Sequence, residues 1–286
     1  MNESKTNILN NFFTKNTFYH CYEDGQDKIY DQVISRYIEQ TSGKNNLQLV
    51  SEVYSILKKY YRNEYFYKNT LLNKLLLGVH SVNTTTALTE VPIANSKADF
   101  VLINGKAVVY EIKTELDNLE RVESQINDYY KAFDHVAVVT YNDNVEAVKT
   151  KIQNTGKPVG IYSLQRSGTL KTILMPETYR ESLDTGALFK LLRKPEYESI
   201  IIDRYGGLPD TSDFKYYSEC RKLFVDIPLE ESYDKVLKIL KKRSNIIKPD
   251  YENIPYELKF LAYFMSLKED DYKKIDVFLN DAYGGV

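Results

Sequence analysis

Six short runs between Thr86 and Met175 constrain the fold of this chain more than any other feature. "TALTEVPI", "ADFVLI", "AVVYEIKT", "HVAVVTY", "VGIYSL" and "LKTILM" are apolar, rich in β-branched residues and bounded by turn residues. Helical patterns intervene at Leu119–Phe133 and Val145–Asn154. Strands alternating with helices predict an α/β (α+β) fold, a sheet covered by helices. From about Lys28 to Leu77 the chain reads as helices: "IYDQVISRYIEQ" and "LQLVSEVYSILKKYY" space apolar residues three and four apart, and Gly43 punctuates between them. Beyond Pro176 the strand signal stops, and "LFKLLRK", "PEYESIIIDRYG", "ESYDKVLKILKKR" and "YELKFLAYFMSL" read as amphipathic helices. The expected division is a helical N-terminal region over 1–84, a core over 85–178 and a helical C-terminal region over 179–286.

Three charges interrupt the apolar strands: Asp99, Glu111 and Lys113. Charge inside a strand is costly unless it is paired or binds a metal. Glu111 and Lys113 are two apart and share a face, while Val108, Tyr110 and Ile112 pack on the other. The "ING" turn decides where Asp99 falls. A two-residue Asn104-Gly105 turn pairs Ile103 with Lys106 and sends Asp99 and Glu111 to opposite faces. A three-residue loop with Gly105 left-handed, or a bulge in either strand, restores a shared face; in the expected register Lys97 lies opposite Glu111 and Asp99 is diagonal to it. Carboxylates brought together repel, and a hard divalent cation relieves the repulsion through oxygen ligands. Mg²⁺ or Mn²⁺ held by Asp99, Glu111 and the Ile112 carbonyl is the expected cofactor, with Lys113 as a cation facing charge that develops on a phosphodiester.

In the helix expected to follow, Asp117 with Glu120 three residues on forms a capping-box-like start. Arg121, Gln125 and Tyr129 are spaced four apart and form one polar stripe, while Val122, Ile126, Tyr130 and Phe133 supply packing.

Other chemistries find little support. His20, His80 and His135 are far apart in sequence and form no metalloprotease or HNH-like pattern, and His135 reads as a structural residue. "NTGKP" and "INGKA" lack the remaining residues of a phosphate loop. Cys21 and Cys220 have no metal-ligand spacing, and the N-terminus lacks signal-peptide character, so a cytoplasmic protein without a membrane span is expected. The net charge is −2, so contact with nucleic acid requires a local basic surface. "KILKKRSNIIK" is the densest basic cluster, and it also suits a helix end.

Asp99 followed on the next strand by Glu111-Ile112-Lys113 resembles the PD-(D/E)XK nuclease superfamily, with Ala98-Asp99 standing where Pro-Asp is usual. Gln125-X-X-X-Tyr129 is similar to the QxxxY motif of its RecB-like and Cas4-like branch. More narrowly, "ADFVLINGKAVVYEIKTELDNLERVESQINDYYKAFDHVAVV" resembles a bacterial and phage family of that superfamily, over roughly Thr86 to Thr140. The resemblance implies a restriction-endonuclease-like mixed sheet and a Mg²⁺- or Mn²⁺-dependent nuclease acting on DNA rather than RNA, in a phage-related or genome-defence setting. It implies metal ligands at Asp99 and Glu111, catalytic Lys113, and supporting Gln125 and Tyr129. The upstream acid falls at Glu90, with Glu52 and Glu64 as alternatives. The C-terminal helices are expected to serve substrate choice, a protein partner or a second copy. The competing expectations are ordinary cross-strand ion pairs with Lys97, Lys106 or Lys113, and a nuclease-fold binding or regulatory protein without catalysis.

Overall fold

The computed structural model describes residues 3–78, 84–243, 246 and 248–284; His80 and the Ser244, Asn245 and Ile247 of the basic cluster lie outside them. The chain begins with five helices: α1 (Glu3–Phe12), α2 (Lys15–Asp24), α3 (Lys28–Tyr37), α4 (Asn46–Tyr60) and α5 (Glu64–Leu71). Side chains of Thr14, Asp27, Asn45 and Asn63 accept from the free N–H groups that begin α2 to α5. A six-residue π-helix, Leu72–Leu77, continues α5. The sheet strands are β1 (Thr86–Ile93), β2 (Ser96–Asn104), β3 (Lys106–Lys113), β4 (His135–Tyr141), β5 (Gly160–Leu164) and β6 (Leu170–Leu174). Between them run α6 (Val122–Tyr129) and α7 (Val145–Gln153). The chain then continues as α8 (Thr185–Lys190), α9 (Lys194–Tyr205), α10 (Asp213–Val225), α11 (Leu229–Lys241), α12 (Lys248–Asn253), α13 (Lys259–Phe264) and α14 (Glu269–Asn280). All six expected strands are present, whereas α1, α2, α10, α12 and α14 carry no helix expectation in the sequence.

The strands form one mixed, α+β-type sheet in the order β1-β2-β3-β4-β5-β6. β3, β4 and β5 run parallel, and the other neighbours are antiparallel. The β2–β3 turn departs from a two-residue hairpin: Ile103 pairs with Ala107, and Gly105 is left-handed at φ 71°. Lys97 is therefore not opposite Glu111. Continuing the register past the last pair, Phe100 with Tyr110, places Asp99 there instead. Ile103 explains the difference, since it is 2% exposed in the core. Putting it into the loop would forfeit about 1.5–3 kcal/mol of burial.

Two apolar layers flank the sheet. On one face, Phe100, Leu102, Val108, Tyr110 and Ile112 pack with α1–α5 and with the C-terminal α12–α14, through Tyr251, Phe260, Leu261 and Phe278. On the other, Ala98, Val101, Ala107, Val109 and Val138 pack with α6–α11, through Ile126, Tyr129, Phe189, Ile201, Phe224 and Tyr233. The stretch from 179 onward thus divides between both faces. Cys21 and Cys220 are buried free thiols. Among the described residues no helix is long and apolar enough to cross a membrane.

Candidate functional site

Regular alternation slips once in each of the first two strands. Leu88 and Val91 in β1, and Ala98 and Val101 in β2, are three apart yet face the same apolar layer. The slip falls at Glu90 and Asp99, which the flanking pairs Thr89–Phe100 and Val91–Ala98 place opposite each other. Glu90 adopts φ 55°, a left-handed conformation that costs a non-glycine residue about 1 kcal/mol or more. Asp99 sits where the β2–β3 ladder ends, and its Oδ2 accepts the Ile112 N–H at 2.7 Å. Three carboxylates, Glu90, Asp99 and Glu111, therefore lie in a row across β1, β2 and β3.

A fourth acid arrives from outside the sheet. Glu64, in the first turn of α5, brings a carboxylate oxygen to within 4.8 Å of those of Glu90 and Asp99, and these three acids form one cluster. One turn further along, Lys68 places its ammonium 2.6 Å from Glu64 Oε1 and also on Glu90, and Lys97 reaches Glu90 at 3.3 Å. Of the three upstream acids considered on sequence grounds, Glu90 and Glu64 are thus in the cluster. Glu52 is not; on α4 it pairs with Lys44 at 2.7 Å.

Glu111 is the most enclosed of these acids, 1% exposed. Its Oε1 is 2.8 Å from Lys113 Nζ, and its Oε2 is 2.5 Å from the Tyr129 hydroxyl. Lys113 also donates to Gln125 Oε1 at 3.0 Å. The Tyr129 hydroxyl is 2.9 Å from the Lys97 carbonyl as well, so its single proton serves one of two acceptors. Gln125 and Tyr129 are buried on α6, one turn apart, whereas Arg121 of the expected stripe is exposed. Asp117 is not a helix cap: its Oδ2 accepts from the Thr114 N–H and hydroxyl at 2.9 and 2.7 Å, and α6 begins five residues later without a side-chain cap. Having closed a turn on Thr114, that carboxylate has no helix terminus within reach.

Electrostatics distinguish the acids. Burial, reinforced by Glu111 and Glu64, pushes Asp99 up to about 8, against the Ile112 N–H that favours its charged form. Burial also raises Glu111, partly offset by Lys113, Tyr129 and Gln125. Although burial works against it, Glu90 stays below the usual carboxylate range because Lys68 and Lys97 are bonded to it. Glu90 is thus paired with Lys68 of α5 and, across strands, with Lys97, and Glu111 with Lys113 of its own strand, while Asp99 makes no ion pair within 4 Å among the described residues.

A cleft of about 580 Å³ opens over this constellation, lined by Glu64, Lys68, Asp99, Glu111, Ile112 and Lys113 among others. Its chemistry is that of hard oxygen donors beside two ammonium groups. The sequence gives little notice of Lys68; the signal is an acid and a lysine four apart in "EYFYK", a helix otherwise packed with buried aromatics. Asp128 is likewise unforeseen. It accepts from the Asn95 N–H and the Ser96 hydroxyl and so ties α6 to the β1–β2 turn. His135 is structural, bonded to Asp134 at 2.7 Å and facing Thr178 at 3.2 Å. In the basic cluster, Arg243 is committed to Glu196 and the Leu191 carbonyl.

No curated protein and no solved structure matches the chain. A family model does, over residues 58–251, a span that holds the whole sheet, Glu64, Lys68 and α6 to α11. The model is that of Bacteriophage P4 protein cII, and since it covers more than half of the 286 residues, the chain belongs to that family.

Proposed function

We propose that the protein is a divalent-metal-dependent nuclease of the PD-(D/E)XK kind, cytoplasmic and acting on DNA rather than RNA. The observation that carries this reading is the row of Glu90, Asp99 and Glu111 across three strands, with Lys113 beside it and Glu64 above it. The donor set fits a hard cation: the oxygens of Glu64, Glu90 and Asp99 converge within 4.8 Å, and Asp99 has no ion-pair partner among the described residues. Mg²⁺ or Mn²⁺, when bound, supplies charge neutralisation at a phosphodiester and activation of water. The chain's own residues do the rest. Lys113 presents a cation to charge developing on the phosphate oxygens. Gln125 holds the Lys113 ammonium in place, and Tyr129 orients Glu111 by a charge-assisted hydrogen bond.

A second reading has an observation of its own. The Lys68 ammonium already bridges Glu64 and Glu90, and the two oxygens of Glu111 are engaged by Lys113 and Tyr129. Such saturation suits a nuclease-fold protein that binds nucleic acid without cutting it. Incubating single- and double-stranded DNA and RNA with the protein and Mn²⁺ separates the two. Degradation that falls about 10²-fold or more in Lys113→Ala is expected. Equal degradation by both proteins, or none by either, defeats the nuclease reading. Independently, millimolar Mn²⁺ raises the melting temperature of the wild-type protein, since a ligand bound only to the native state stabilises it.

A further inference from the structure

We propose that a second, basic groove beside the carboxylate cleft binds a single strand of nucleic acid that leads to or from the reactive site. The groove, of about 570 Å³, runs along the carboxyl ends of the parallel strands β3, β4 and β5, past Leu116, Tyr141 and Leu164. The crevice outside the carboxyl ends of strands is where open α/β sheets take their ligands. Leu116 lines both clefts, so they adjoin there. It is three residues beyond Lys113, no more than about 11 Å along the chain.

Charge and exposure define the occupant. Lys58 and Lys59 at the end of α4, and Arg166 in the β5–β6 turn, are exposed, line the groove and make no ion pair with any described acid within 4 Å. Arg62 is already paired with Glu115, so three cations remain for phosphates against one further lining acid, Asp143, a local excess of positive charge in a protein whose net charge is −2. Beside them stand two apolar side chains in water: the ring of Tyr60, 62% exposed with Lys59 4.9 Å from its centroid, and Leu116, 60% exposed. A duplex hides its bases and would use the cations alone. A single strand uses both, laying phosphates on the cations and a base on the open face of Tyr60. The inference rests on the nuclease reading only for what the bound strand is used for.

The test is fluorescence anisotropy with a labelled oligo-dT strand and a hairpin duplex competitor in EDTA, followed by cleavage with Mn²⁺ using the same protein samples. Three ionic contacts predict a dependence of log Kd on log salt with slope about 2, falling to about 0.7 in Lys58→Glu/Arg166→Glu. Tyr60→Ala weakens the strand about fivefold or more while leaving the salt slope unchanged. All three positions are exposed, and melting temperatures equal to wild type verify that the variants fold. The milder Lys58→Gln/Arg166→Gln pair repeats the test without reversing charge. The inference is overturned by a wild-type protein that binds no single strand, by a double variant with wild-type affinity and slope, or by a duplex that outcompetes the strand tenfold. Binding as expected without any cleavage would leave this groove standing and remove the nuclease reading.

Discussion

Asp99 is a carboxylate that the fold holds away from its ordinary charge state. Its native value of about 8 lies above the roughly 3.9 of an unfolded chain. A raised acid contributes stability in full below its unfolded value, and that contribution is lost as pH rises towards the native one. The metal-free protein therefore melts progressively lower from about pH 5 to about pH 8, by about 2–4 °C for each kcal/mol lost. Asp99→Asn, which cannot ionise, makes this decline shallower, the remainder belonging to Glu111, which burial also raises. A melting curve equally steep in the variant would place the effect elsewhere. The neighbouring Glu90, kept low by Lys68 and Lys97, does not contribute in this window. That three acids fall within strands is written in the sequence; their alignment in one row depends on the observed register, and the opposite behaviour of Asp99 and Glu90 on which lysines arrive beside them.

Among the elements, the β2–β3 hairpin does most to assemble the site. Its register follows from two local facts, the left-handed φ of Gly105 and the burial of Ile103. Gly105→Val introduces a β-branched side chain at φ 71°, where the added carbon meets no neighbour, so its cost is backbone strain of about 1–2 kcal/mol. Urea denaturation should register that loss. A larger effect on metal-induced stabilisation than on stability is expected if the turn relaxes into a two-residue form and turns Asp99 away from Glu111; an unchanged midpoint refutes the role of Gly105. Within β3, alternation alone placed Glu111 and Lys113 together, and that reading holds. Along α6, four-residue spacing placed Arg121, Gln125 and Tyr129 on one polar stripe; the structure buries Gln125 and Tyr129 and leaves Arg121 exposed, because periodicity cannot tell where a stripe leaves the protein. Among the helices without an expectation, α10 has a sparse apolar face, with only Cys220 and Phe224 buried, too few to set a visible period, whereas α14 buries Tyr272, Ile275, Phe278 and Leu279 at helical spacing, a pattern the sequence does carry.

Across the whole molecule, the first and last parts of the chain build one apolar layer. Tyr65 donates to the Glu257 carbonyl, Asn69 to that of Tyr256, and Asn46 to that of Phe278. Deleting residues 248–286 removes buried Tyr251, Phe260, Leu261 and Phe278 from against α1–α5. The truncated chain is expected to lose its cooperative melting transition by circular dichroism. A soluble fragment melting within a few degrees of the full chain would show instead that α12–α14 are an appendage, since each lost large side chain is worth about 2–5 kcal/mol. From the order of residues alone follow the six strands, the shared face of Glu111 and Lys113, and the α6 stripe, because backbone geometry repeats every two or 3.6 residues whatever the chain later packs against. Only the tertiary structure decided that Glu64 and Lys68 join the carboxylates, that Asp99 is left without a cation, and that α12–α14 cover the N-terminal helices. Those outcomes depend on packing between segments far apart in sequence, which no local period encodes.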